Sequence, residues 1–153
     1  MINKILQFLG IMAIGAFFGA IIIVTAKEKS PELFAKYQVI SLKGSTFDMD
    51  VTVLITDDTA FAVKYVQENL DSSAKSEHFN ARAVTFTTID GKPPIIWMPF
   101  HTPVDIVNHE LLHATIDVMN WAGVPLTDTT EEVYAYELQY LSNQLYKQIN
   151  ITK

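Results

Sequence analysis

Residues 102–125 read TPVDIVNHELLHATIDVMNWAGVP, and the rest of the chain is arranged around this stretch. Thr102 is a residue type that caps helices, Pro103 suits the first helical position, and Asp105 places an acid in the first turn. Gly123 and Pro125 then stop the pattern just past Trp121. A helix from Thr102 to about Trp121 is predicted, with Ile106, Val107, Leu111, Leu112 and Ala114 on its buried side.

Upstream of it, Ala81–Thr88 alternates between small or polar and larger residues, and Asp90-Gly91 is a hairpin signal. Pro94–Met98 is the expected return strand. Prolines 93, 94 and 99 bracket it and suggest an edge position, where a missing N–H costs little. Further upstream, Tyr37–Leu42 and Met49–Thr56 are rich in β-branched residues and read as strands around the turn Lys43-Gly44-Ser45. Asp57-Asp58 offers an N-cap to a helix carrying Phe61, Ala62, Tyr65, Val66 and Leu70 at helical spacing, and polar Asp71–Asn80 reads as a loop. Downstream, a last helix starts near Thr129 and bears Tyr134, Leu138, Leu141 and Leu145 as an apolar stripe. Residues 37–153 therefore read as one α+β domain, a small mixed sheet packed on the 102–121 helix and a C-terminal helix.

The N-terminus is of different composition. From Ile5 to Ala26 the only strongly polar residues are Gln7 and Thr25, and such a run in a helix spans roughly 30 Å, the hydrocarbon thickness of a bilayer. Residues 1–26 read as a single-pass membrane anchor, because the run exceeds an ordinary signal-peptide core. Val24-Thr25-Ala26 keeps a cleaved signal peptide as the alternative. Residues 27–36 form a linker. Lys4 lies on one side of the span and Lys27, Lys29 and Lys36 on the other, a count that leans by one charge toward a cytoplasmic C-terminal domain and leaves the side open. Gly15 and Gly19 make a small-residue face, although glycine is common in membrane helices generally, and oligomeric state is not specified.

Of the 153 residues, 11 are Lys or Arg and 17 are Asp or Glu, a net charge of −6. Such an acidic chain lacks the basic footprint of a nucleic-acid binder. Having no cysteine, it has no disulfide scaffold, thiolate metal site or cysteine nucleophile.

The chemistry lies in His109-Glu110-Leu111-Leu112-His113. Helical positions i and i+4 share a face, so the two imidazoles can converge on one ion. Glu110 lies about 100° round, where its carboxylate can take a proton from a water on that ion. This is the H-E-x-x-H arrangement for Zn2+ and general-base catalysis. The bland alternative is two surface histidines on an amphipathic helix. A catalytic zinc needs a third protein ligand and an open position. His78 and His101 fall in predicted loops upstream, leaving the downstream acids Glu131, Glu132 and Glu137. Glu132, 19 residues past His113, is favoured. It has a competing role as the third helical residue of a capping box opened by Thr129, while an Asp128 cap would leave it free.

The spacing H-E-x-x-H-x18-E resembles the gluzincin branch of the zinc metallopeptidases, as in the membrane alanyl aminopeptidases, and is close to that of the thermolysin group. The metzincin pattern is absent, because position 119 is Met119. Glu137 matches a longer spacing known among dipeptidyl carboxypeptidases. The order of segments also resembles short metallopeptidase-like proteins of tailed bacteriophages. There a strand ending Ile-Trp-hydrophobic-Pro precedes the motif helix and an acid-x-aromatic-Ala-Tyr segment opens the next; Ile96-Trp97-Met98-Pro99 and Glu132-Val133-Tyr134-Ala135-Tyr136 stand at those places, within a similarity covering roughly residues 50–145.

The resemblance implies a minimal zincin-like domain and a membrane-anchored metallopeptidase acting on a peptide or protein substrate. Zinc would sit on His109, His113 and Glu132, with Glu110 as base. It also implies substrate pairing along the edge strand, expected at Pro94–Met98, and an oxyanion hydrogen bond from Tyr134, Tyr136 or Tyr140, with Tyr136 the chosen candidate. Thermolysin-like enzymes carry an acid four residues after the ligand glutamate, where this chain has Tyr136, so Asp117 or Asn120 is the candidate to orient a histidine. A rival of another class is a membrane-anchored interaction protein whose zinc site is structural or vestigial.

Overall fold

Every second residue of the two central strands points to the same apolar layer, and that alternation organises the domain. The computed structural model describes residues 37–45 and 47–149; the anchor and linker expected over 1–36 lie outside them. Strands β1 (Gln38–Leu42), β2 (Val51–Ile55), β3 (Val84–Phe86) and β4 (Ile95–Met98) form one sheet in the order β1-β2-β4-β3. β2 and β4 are parallel, and the two outer pairings are antiparallel. The helices are α1 (Thr59–Asn69), α2 (Val104–Trp121) and α3 (Glu131–Gln148).

Val51, Val53 and Ile55 of β2, with Ile96 and Met98 of β4, pack on Val107, Leu111, Ala114 and Val118 of α2 and on Leu141 and Leu145 of α3. Leu54, Ile95 and Trp97 face the other way, onto Ala62 and Val66 of α1 and onto Phe79. The result is a mixed α+β sandwich with the sheet in the middle. α3 runs back along α2: the Tyr134 hydroxyl donates to the Val124 carbonyl just past the end of α2, and the Tyr146 hydroxyl to Asn108 near its start, both at 2.6 Å.

Several local expectations hold for the reasons given. Asp58 caps α1, accepting from Phe61 N at 2.9 Å. Asp90 and Gly91 both take positive φ, 53° and 74°, as a tight hairpin turn requires. Gly123, at φ 71°, ends α2 with the Val124 N–H bonded to Met119 O and its own to Asn120 O, the paired bonds of a Schellman motif.

Others are corrected. β4 is an interior strand, not an edge: its prolines flank the paired residues, and Pro94 still accepts from Thr52 N through its carbonyl. β3 is the edge on that side, and only Val84–Phe86 of the expected Ala81–Thr88 is paired, since Pro93 and Pro94 have no N–H to extend the ladder. The expected loop contains a 3-10 turn at Ser76–Asn80, which drives Phe79 against Trp97 and Phe86. Thr102 does not cap α2; its hydroxyl donates to Pro99 O and the helix begins one residue after Pro103. Leu112, expected inside, is 42% exposed, being on the outward side of α2. α3 begins at Glu131 without a side-chain cap, so the Thr129 capping box does not form. Among the described residues no helix is long and apolar enough to cross a membrane.

Candidate metal-binding cleft

α2 lies across the sheet with Leu111 and Val118 beneath it, which turns His109 and His113 outward and Glu110 sideways toward β3. The two exposed imidazoles meet: His109 Nε2 and His113 Nε2 are 3.0 Å apart, with the rings nearly perpendicular at 84°. The contact is a hydrogen bond whose donor and acceptor nitrogens depend on the tautomers of the two rings. Two nitrogens each about 2.0–2.1 Å from a tetrahedral zinc stand about 3.3 Å apart, so the observed pair is set almost as a shared ion would require.

Glu110 is buried, 7% exposed, yet it borders the cleft. The Thr85 hydroxyl on β3 lies 2.7 Å from Glu110 Oε2 and 3.0 Å from its backbone oxygen, which orients the carboxylate. Among the described residues Oε1 accepts no hydrogen bond and remains available to a water. The cleft, about 330 Å³, runs between α2 and β3 and is bounded by Thr85, Thr87, Glu110, His113, Asp117 and Asn120. Asp117 is tied to the end of β3, accepting from both the backbone N–H and the hydroxyl of Thr88, and so it fixes the strand against the helix.

The acids of α3 are placed differently. Glu131 and Glu132 are exposed in its first turn. Glu137, 1% exposed, turns toward the β1–β2 connection and accepts from the Ser45 backbone N–H at 3.1 Å and from the Ser45 hydroxyl. That engagement argues against Glu137 as a ligand. Tyr134 is committed to Val124, while Tyr136 and Tyr140 are 66% and 43% exposed. His78 and His101 are exposed; His78 Nδ1 accepts from Lys75 N.

Thus the histidine pair comes together beside Glu110, and Glu132 does not join it: among the described residues, no three His, Asp or Glu side chains are grouped to hold one ion, and Tyr136 is not among the residues that line the cleft. The contact of Thr85 with Glu110 joins residues 25 apart in the sequence. Its only sequence signal is a polar residue on the inward-facing side of an alternating segment. Comparison with protein-family models, curated proteins and solved structures returns no match.

Proposed function

We propose that this chain is a membrane-anchored zinc metallopeptidase of minimal, zincin-like build. The observation that carries the reading is the convergence of His109 and His113 Nε2 to 3.0 Å with Glu110 opening into the same region, beside the edge of β3, which pairs with no further strand among the described residues. His109 and His113 would hold the ion, with Glu132 as the third donor on the strength of its spacing. Zinc bound there supplies Lewis acidity and brings the pKa of a water toward about 7.

Glu110, steadied by Thr85, takes the proton through its free oxygen and passes it to the leaving amine. The sheet edge supplies the positioning. β4 occupies one side of β3, and the other side can pair an extended backbone with its peptide groups facing the cleft. The substrate-pairing strand expected at Pro94–Met98 is therefore reassigned to Val84–Phe86. Tyr136 is the candidate donor to the oxyanion, by resemblance. The anchor rests on the composition of residues 5–26.

The test is hydrolysis of a mixed peptide pool by the full chain in detergent with zinc present. Cleavage that stops on chelation and returns with zinc is expected. Cleavage indifferent to chelation, or none from zinc-loaded folded protein, contradicts the reading.

A further inference from the structure

β3 separates two hollows. Thr85 points to the α2 side, where Glu110 is, whereas Val84 and Phe86 point to the side of α1. On that second side lies another cavity of about 330 Å³, bounded by Asp71, His78, Phe86 and Ile89, with Val84, Thr85 and Thr87 bordering both hollows. An extended peptide paired along the free edge sends successive side chains to opposite faces of the sheet. A residue whose side chain enters the second hollow therefore has neighbours directed to the Glu110 side.

The second hollow has a definite chemistry. Asp71 Oδ1 accepts from the Ser73 hydroxyl at 2.7 Å and from the Ser73 backbone N–H at 2.8 Å, whereas Oδ2 accepts nothing among the described residues. Those bonds, the hydroxyl's first, hold the Asp71 carboxyl below the usual carboxylate range, so it is an anion at neutral pH. The His78 ring, tilted against Phe86 with centroids 6.3 Å apart, and Ile89 provide apolar and aromatic walls. A carboxylate among such walls suits a long aliphatic stem ending in a cation. Asp71 is the one acid that lines this hollow, in a domain that is acidic as a whole: residues 37–149 carry 6 Lys or Arg against 15 Asp or Glu.

We propose that the Asp71–His78–Phe86–Ile89 hollow is a specificity subsite for a lysine or arginine side chain of the peptide substrate. This rests on the metallopeptidase reading for the role of the peptide, but its test does not depend on turnover. Blocked hexapeptides of alanine with one central lysine, or norleucine in its place, are titrated onto the zinc-loaded full chain carrying Glu110→Gln. The lysine peptide is expected to bind at least about tenfold more tightly, as a charge-assisted hydrogen bond implies. Asp71→Asn, which can still accept from Ser73, should erase that difference, and Asp128→Asn, at an exposed acid elsewhere, should leave it. Equal binding of the two peptides, no binding of either, or a preference that survives Asp71→Asn overturns the subsite. Failure of the wild-type chain to cleave the lysine peptide it binds would count instead against the peptidase reading.

Discussion

Replacing Glu110 with Gln is expected to lower peptide hydrolysis by about 10²–10⁴-fold, the usual contribution of a positioned general base. The substitution preserves shape: the amide oxygen can still accept from the Thr85 hydroxyl, which lies 2.7 Å from the native carboxylate. What it removes is the capacity to take a proton from water and return it to the departing amine. The histidine pair is one residue away on one side and three on the other and is not touched. A steady-state assay on zinc-loaded protein reads the effect; KM should change far less than kcat, because the loss is confined to the transition state. Undiminished hydrolysis would remove Glu110 from catalysis. An intact biological effect in this variant would favour the rival in which the site is structural or vestigial.

The largest effect on stability is expected at Trp97. It is 2% exposed, packs edge-on against Phe79 with centroids 5.1 Å apart, and donates from Nε1 to the Thr56 carbonyl at 3.1 Å. Trp97→Ala leaves a cavity between β4 and the 3-10 turn and removes the indole hydrogen bond to the Thr56 carbonyl. A loss of about 3–5 kcal/mol follows. Against a total of about 5–15 kcal/mol for a domain, that brings the fold to the edge of unfolding. Trp97→Phe, which keeps much of the apolar contact, should cost clearly less. Urea unfolding of the two variants checks the order, and a Trp97→Ala midpoint close to wild type would show that the second apolar layer contributes little.

Trp97 lies in a segment whose apolar composition points to the interior of the sheet. All four residues of Ile95–Met98 are buried, and a continuous apolar run is the mark of a strand covered on both faces. The three flanking prolines suggest an edge instead, yet they lie outside the ladder, and a proline carbonyl still accepts. Local features were legible because their causes are local. The Asp58 cap, the Asp90-Gly91 turn and the Gly123 stop each depend on a few neighbouring residues. The H-E-x-x-H pair is of the same kind, since helix geometry alone brings i and i+4 together.

Contacts distant in sequence were not legible. Thr85 meets Glu110 across 25 residues, and Ser45 meets Glu137 across 92. The second of these changes the reading of an acid that spacing alone left as a possible ligand. Glu132 shows the opposite limit, because its candidacy rests on spacing while its side chain is exposed and separate from the histidines.

Zinc content of the full chain therefore tests the central claim most directly. It is measured after equilibration and desalting in the wild type and in four variants: His109→Ala, His113→Ala, Glu132→Ala and Glu137→Gln. The account predicts about one zinc per chain in the wild type and in Glu137→Gln, with little or none after either histidine is lost and weakened retention in Glu132→Ala. A folded wild type that retains no zinc, or a His113→Ala protein that holds it as well as the parent, would contradict it.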